Sequence, residues 1–177
     1  KTNTEVTELS QLEDNRWQLT TGKGSIVAST LVVCAGADSD LIAPLSELPT
    51  YPVRGQVSQV ELADGDNNLS TVICHKGYMT PANNGQYCIG ATFDKHDRDL
   101  ATRQADDTYN LSMIKQSLPE LPDIPPQQIV ESKARLRAMT PDHSPVAGPM
   151  PKTALYPDLY GKLTKDKNWK IDNIGHF

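Results

Sequence analysis

The chain lacks any long hydrophobic run. Its longest apolar stretch covers residues 31–37, which is far short of the roughly 20 residues that a helix needs to cross a bilayer. The opening residues, KTNTEVTEL, also lack the charged and then apolar layout of a signal peptide. The sequence therefore predicts no membrane span and no export, and a cytoplasmic location is the expectation.

Cysteine is scarce, and the three that occur, Cys34, Cys74 and Cys88, show no C-x-x-C spacing. An odd number of cysteines in apolar, strand-like stretches does not suggest a disulfide framework. Free cysteine most often behaves as a small core residue. We therefore expect three buried, reduced thiols.

A surplus of positive charge is also missing, because 17 Lys and Arg residues stand against 22 Asp and Glu residues. The basic residues are scattered, so the sequence predicts no broad basic face that would neutralise nucleic-acid phosphates. If RNA is a partner, most of its binding energy is expected to come from elsewhere. The four histidines show no metal-ligand spacing, and no metal site is predicted.

What the chain does contain is a series of short segments with the alternation typical of strands. Residues 17–21 and 25–28 flank Gly22-Lys23-Gly24 and predict a β-hairpin. The two glycines do not form a dinucleotide-binding loop, because position 27 is valine and strands flank the turn.

The remaining segments predict an α+β protein. Residues 30–33 read as a short, fully buried strand, and residues 38–45 as a short helix capped by aspartate or serine. Other strands are predicted at 51–62, 71–75, 78–82, 86–93 and 127–139, with a helix at 106–118 whose apolar residues have helical spacing.

The last predicted strand carries Arg135 and Arg137 two positions apart, just before the turn at Thr140-Pro141-Asp142. Residues two apart share a face of a strand, so Lys133 joins them. On spacing alone, a solvated strand face is the favoured interpretation. Strand ends are also where α/β proteins build sites, and a guanidinium there can hold a carboxylate through two hydrogen bonds. Both interpretations stay open.

Several motifs, taken together and in order, resemble the D-amino-acid-oxidase-like flavoprotein superfamily, which includes glycine and sarcosine oxidases. The motifs are Glu5-Val6, Trp17, LVVCAGA at 31–37, PVRGQ at 52–56, YMTP at 78–81, CIGAT at 88–92, RAMTPDHSPVAG at 137–148 and GHF at 175–177.

The resemblance implies a mixed-sheet substrate domain joined to part of an α/β FAD-binding domain. Residues 1–50 would be the late strands of the FAD-binding domain, residues 51–139 the substrate domain, and residues 140–177 the return to the FAD-binding domain. The chain would then be an internal fragment that, by itself, is inactive and does not hold FAD stoichiometrically.

The same resemblance implies site residues. Arg137 would bind a substrate carboxylate, Tyr78 would lie in the same pocket, and Arg135 would flank it. No side chain need act as a strong base if the substrate amine arrives neutral. The residues expected beside FAD are Val6, Ala35, Gly36, Ala37, Gly148 and Gly175.

Within the superfamily, the segments ICHKGYMTP at 73–81 and YCIGAT at 87–92 are most similar to the FAD-dependent half of the bifunctional enzymes that make methylaminomethyl-thiouridine at the tRNA wobble position. The resemblance implies removal of a carboxymethyl group from the modified uridine. It also implies a tRNA partner, a fused methyltransferase half that uses S-adenosylmethionine, and a monomer. The alternatives are a glycine- or sarcosine-type amino acid oxidase and a non-catalytic carboxylate-binding module.

Overall fold

The computed structural model describes residues 3–43, 45–62 and 69–150, together with residues 152, 155, 165, 166, 168 and 170. The chain divides into two compact units. Lys1–Thr50 and Thr140–Phe177 form one of them, which we call the split unit. Tyr51–Met139 forms the other, which we call the central unit.

The split unit contains a three-stranded antiparallel sheet of β1 (Val6–Gln11), β2 (Trp17–Thr21) and β3 (Gly24–Ala28). Thr21 closes the turn between β2 and β3, because its hydroxyl donates to the Gly24 carbonyl at 2.6 Å and accepts from the Lys23 amide at 3.1 Å. Gly24 has a φ of +102°, a conformation that favours glycine. The predicted hairpin is confirmed.

The apolar segment after β3 is not a strand. Residues 30–35 have no regular secondary structure, and Val32 is 78% exposed. No described strand pairs with this segment, although Leu31 and Val33 line a small pocket with Leu9 and Trp17 of the sheet. The prediction of a buried strand at 30–33 is therefore wrong, and the helix expected at 38–45 is replaced by two 3-10 turns, Gly36–Leu41 and Leu45–Glu47.

The cysteines are free, but the prediction that they are buried is wrong. Cys34 and Cys74 are exposed, and Cys88 is half-buried. Cys34 lies in the unpaired apolar segment, and Cys74 lies on a two-residue strand at the end of its sheet. Neither position is covered by another described element.

The central unit is built on an antiparallel sheet whose middle strand is β4 (Tyr51–Glu61). Along one side β4 pairs with β9 (Ile129–Met139), and along the other it pairs with β7 (Gln86–Gly90) and β8 (Asp94–Lys95). The short strands β6 (Tyr78–Met79) and β5 (Ile73–Cys74) continue the sheet beyond β7. Each described strand pair is antiparallel, where the resemblance led us to expect a mixed sheet.

Helix α1 (Gln104–Ser117) covers one face of this sheet, which we call the helix face. Ile114 joins a buried cluster with Val60, Met79, Tyr87, Ile89 and Leu121. Asp106 and Asp107 lie in the first turn, where the helix dipole favours negative charge. The helix predicted at 106–118 and the α+β fold class are confirmed.

A buried arginine ties the loop before α1 to the central strand. The Arg54 side chain is fully buried, and its Nε donates to the Asp99 carbonyl at 2.6 Å. Its Nη1 donates to Asp106 at 2.5 Å, and its Nη2 donates to the Ala101 carbonyl at 2.7 Å. Every one of these partners lies in the loop or the first turn of α1, so Arg54 fixes where the helix begins on the sheet.

Candidate functional site

The strand register determines which side chains share the face opposite to α1. Directly paired residues point the same way, and successive residues alternate. Arg54, Gln56 and Ser58 bond to α1 or to the loop before it, so Val53, Gly55 and Val57 point to the other face. The residues paired with them share this face, which we call the open face. They are Arg137, Arg135, Lys133 and Gly90, together with Tyr78, which pairs with Gly90.

A cavity of about 300 Å³ opens on this face of the central unit. Arg137 lines it from the end of β9, and Tyr78 lines it from β6. The structure thus brings together two residues that lie almost 60 positions apart in the sequence. The other lining residues are Cys74, His75, Lys76, Gly77, Gly90, Ala91 and Phe93.

The Arg137 guanidinium lies on the backbone of Gly55 in the neighbouring strand. A Cβ atom at Gly55 would overlap Cζ and both terminal nitrogens of the guanidinium, so this position of the Arg137 side chain requires glycine at 55. Nη1 also donates to the Thr92 carbonyl at 3.3 Å. Within the described part of the chain, no carboxylate lies within ion-pair distance of Arg137. The half-buried guanidinium is therefore available to an anion that enters the cavity.

Tyr78 is placed by a second glycine contact. A Cβ atom at Gly90 would lie 3.3 Å from the Tyr78 hydroxyl oxygen and 2.8 Å from Cγ1 of Val57. The phenol therefore lies against the backbone of β7, and Gly90 leaves room for it. A Cβ atom at Gly77, the residue before Tyr78, would lie 2.9 Å from the Gly90 carbonyl oxygen, so this turn also depends on glycine.

The environment of Tyr78 keeps its hydroxyl protonated. Burial is the largest cause that raises the pKa of Tyr78 above its ordinary value of 10.0; Cys88 adds to the shift, and the charge of Arg137 opposes it. Burial likewise raises the pKa of the Cys88 thiol above 9.0, although the hydrogen bond from Tyr78 acts in the opposite direction. The cavity therefore offers the half-buried Arg137 guanidinium and a neutral hydrogen-bond donor, Tyr78, with the exposed Lys76 also in its lining.

This arrangement can bind a carboxylate, but it contains no strong base. A planar guanidinium can donate two parallel hydrogen bonds to a carboxylate, and partial burial strengthens such bonds. A neutral phenol can donate to an amine or to a carboxylate oxygen. The geometry fits binding and orientation of a small anionic group.

Arg135 does not line the cavity. Its side chain is exposed, and Nη1 donates to the carbonyl of the preceding residue, Ala134, at 2.7 Å. It lies on the open face beside Arg137, as the spacing predicts. Its expected part in substrate binding stays a prediction.

The residues expected beside FAD lie in the split unit. Gly36 has a φ of +58° and open space where a Cβ would lie, between the half-buried Ala35 and Ala37. This exposed, small-residue backbone fits a flat or phosphate-bearing cofactor lying against it. Val6 begins β1, and Gly148 lies in a loop with open space around its Cβ position, whereas Gly175 is outside the described residues.

Sequence reasoning missed the supports of the site. The family motifs contain Gly55, Gly90 and Thr92, but the sequence alone assigns these residues no role. In the structure the two glycines make room for Arg137 and Tyr78, and the Thr92 carbonyl accepts a hydrogen bond from Arg137. Arg54 was missed in the same way. An arginine inside a strand with apolar neighbours is a signal for a buried ion pair, since a lone buried charge is costly.

The described residues contain neither a metal-binding cluster nor a membrane-spanning helix. No group of three or more His, Cys, Asp or Glu side chains there could hold a metal ion. No described helix is long and apolar enough to cross a membrane.

Comparison with other proteins agrees with these features. The chain is 36% identical over 168 residues to the tRNA 5-methylaminomethyl-2-thiouridine biosynthesis bifunctional protein MnmC of Aeromonas hydrophila, covering 93% of this chain and 25% of that protein. It is 31% identical over 160 residues to the protein of the same name from Pseudomonas putida W619, covering 86% and 24%. The chain thus spans about a quarter of the length of these curated relatives.

The fold resembles glycine oxidase of Geobacillus kaustophilus, with a TM-score of 0.71 and 25% identity over 84% of this chain and 40% of that one. Iminodiacetate oxidase of Chelativorans sp. BNC1 shares the fold, with a TM-score of 0.67 and 23% identity over 84% and 41%. Residues 1–162 match the family described as FAD dependent oxidoreductase. This chain, with its antiparallel sheet and its arginine- and tyrosine-lined cavity, belongs to the FAD dependent oxidoreductase family.

Proposed function

We propose that the protein to which this chain belongs removes the carboxymethyl group from carboxymethylaminomethyl-thiouridine at the wobble position of tRNA. The observation that carries the proposal is the half-buried Arg137 guanidinium, set against Gly55 in the same cavity as the Tyr78 hydroxyl. The substrate has a glycine-like arm, so its carboxylate matches the cation in the cavity. The MnmC proteins to which the chain is similar are named for the biosynthesis of 5-methylaminomethyl-2-thiouridine in tRNA, a product that removal of this group would lead to.

In this proposal the two units have different tasks. The central unit binds the substrate arm, and the split unit contributes Val6, Ala35–Ala37 and Gly148 to the FAD site. The FAD held there would supply a hydride acceptor for oxidation of the carbon beside the amine, after which hydrolysis would release the carboxymethyl carbons as glyoxylate and leave the shortened amine. A fused methyltransferase half would use S-adenosylmethionine to methylate that amine.

The side chains of the cavity would act by orientation. Arg137 would hold the carboxylate through two charge-assisted hydrogen bonds and so fix the adjacent carbon. Tyr78 stays neutral because burial raises its pKa, and it can donate a hydrogen bond without adding a negative charge beside the carboxylate. A neutral substrate amine needs no base from the protein.

A second candidate is a glycine-type amino acid oxidase, which the likeness to glycine oxidase favours. The experiment that separates the two uses the full-length protein with bound flavin. Turnover is measured with tRNA that carries the carboxymethylamino arm, and separately with free glycine and sarcosine. We expect the tRNA to be the preferred substrate by at least a hundredfold in kcat/KM, and a preference for glycine would support the second candidate instead.

A further inference from the structure

The open face of the central unit carries a row of cations that leads out of the cavity. The register places Arg137 opposite Val53, Arg135 opposite Gly55 and Lys133 opposite Val57, all on one face of β9. Lys95 of β8 is also opposite Val53 and therefore lies on the same face. Spacing within β9 aligns three of these cations, and strand pairing adds Lys95 to them.

The acidic residues of the same sheet lie on both faces. Asp94 pairs with Arg54 across the strands and points to the helix face, where Asp106 and Asp107 also bond. On the open face Glu131 pairs with Lys133 at 2.8 Å, and Glu61 accepts a hydrogen bond from Gln86 at 3.1 Å. The chain has a net charge of −5, but on the open face of this sheet four cations, Lys95, Lys133, Arg135 and Arg137, stand against the two carboxylates of Glu61 and Glu131.

The row becomes more accessible with distance from the cavity. Arg137 is half-buried in the cavity, whereas Arg135 and Lys133 are exposed. Residues two apart on a strand stand about 6.6 Å from each other, so the row extends the cavity's cation outward in two further steps. Among the described residues, Arg135 has no carboxylate within ion-pair distance.

A free amino acid that binds Arg137 would leave Arg135 without a ligand and Lys133 with only its surface pair to Glu131. A nucleotide chain whose modified base enters the cavity must continue outside it and carries one phosphate per residue. The arginine fork suits phosphate, and Lys133 can serve as a point charge. We propose that Arg135 and Lys133 bind phosphate groups of the RNA strand next to the nucleoside held in the cavity, an inference that rests on the proposed function.

The test compares the full-length, flavin-bound enzyme with the double variant Lys133→Gln, Arg135→Gln on two substrates. One is tRNA with the carboxymethylamino arm, and the other is the same modified nucleoside without phosphates. The variant should lose about tenfold in kcat/KM on tRNA. On the nucleoside its loss should be no more than about twofold. Its plot of log kcat/KM on tRNA against log salt should also be shallower by about 1.4, since each lost phosphate contact on a single strand contributes about 0.7.

Lys115→Gln is the matched control, because Lys115 lies on α1 across the sheet, where it pairs with Asp123 at 3.0 Å. It should keep the wild-type salt dependence. Equal losses of the double variant on tRNA and nucleoside, or an unchanged salt slope, would overturn this inference alone. A wild-type enzyme that turns over the nucleoside or glycine but not the tRNA would overturn the proposed function, and this inference with it.

Discussion

The guanidinium of Arg137 lies directly on the backbone of Gly55, one strand away. The two residues are not opposite each other in the register, since Arg137 pairs with Val53. The arginine side chain instead reaches diagonally across β4 to the one position without a Cβ atom. The orientation of the cation in the cavity therefore depends on a glycine that makes no contact with a ligand.

Gly55→Ala should lower activity through Arg137. The new methyl group would overlap the guanidinium, which is the end of a flexible side chain and would move from its place at little cost in stability. We expect kcat/KM of the full-length enzyme to fall at least tenfold, mainly through KM, with flavin content retained. Steady-state kinetics and flavin absorbance provide the two readings.

Gly22→Ala is the matched control for that variant. Gly22 has open space around its Cβ position and no positive φ, so its substitution should change neither kcat nor KM. A Gly55→Ala enzyme with wild-type KM would show that the guanidinium is not positioned by this contact.

The raised pKa values of Tyr78 and Cys88 predict a loss of stability in alkali. Folding favours the neutral form of both groups, because burial is the main cause of each shift. Their stabilising effect is therefore complete below pH 9.0, the ordinary thiol value, and is lost as the pH rises through the raised values.

Urea denaturation of the chain between pH 8 and pH 11 measures this effect. The free energy of unfolding should decline above about pH 9, and Tyr78→Phe should make the decline shallower because one titrating group is gone. An identical pH dependence in wild type and variant would contradict the assignment of this decline to Tyr78.

Removal of Arg54 should destabilise the central unit strongly. Arg54→Met would leave Asp106 without its cation in a mostly buried position and would free the carbonyls of Asp99 and Ala101. Breaking a buried pair from one side costs about 3–5 kcal/mol. Differential scanning calorimetry should therefore show a large fall in Tm.

Arg103→Gln is the comparison, because Arg103 pairs with Asp97 and Asp99 at the surface. Exposed pairs contribute about 0–1 kcal/mol, so its Tm should change little. Equal effects of the two variants would mean that the burial of Arg54 has no special energetic weight.

Local patterns in the sequence predicted the elements but not their neighbours. The hairpin of β2 and β3 and the helix α1 follow from turn residues and apolar spacing, which act over a few residues. The exposure of Val32 depends on whether a second strand lies beside it, and spacing within the segment carries no such information. The prediction that Cys34 and Cys74 are buried was wrong for the same reason.

The candidate site was predictable only in part. Residue spacing placed Lys133, Arg135 and Arg137 on one face, and the structure agrees. The meeting of Arg137 and Tyr78 followed from the family resemblance, because pairing between distant strands sets it. The supports from Gly55 and Thr92 arise from close approach in three dimensions, and no periodicity signals them.

The central claim is that Arg137 anchors the substrate carboxylate, and one measurement tests it most directly. Wild type, Arg137→Ala and Arg137→Lys forms of the full-length, flavin-bound enzyme are compared on tRNA that carries the carboxymethylamino arm. Loss of a charge-assisted pair in a half-buried cavity costs on the order of 2–4 kcal/mol, so kcat/KM should fall by about two to three decades in both variants. A folded, flavin-bound Arg137→Ala enzyme that turns over this tRNA at close to the wild-type rate would contradict the account.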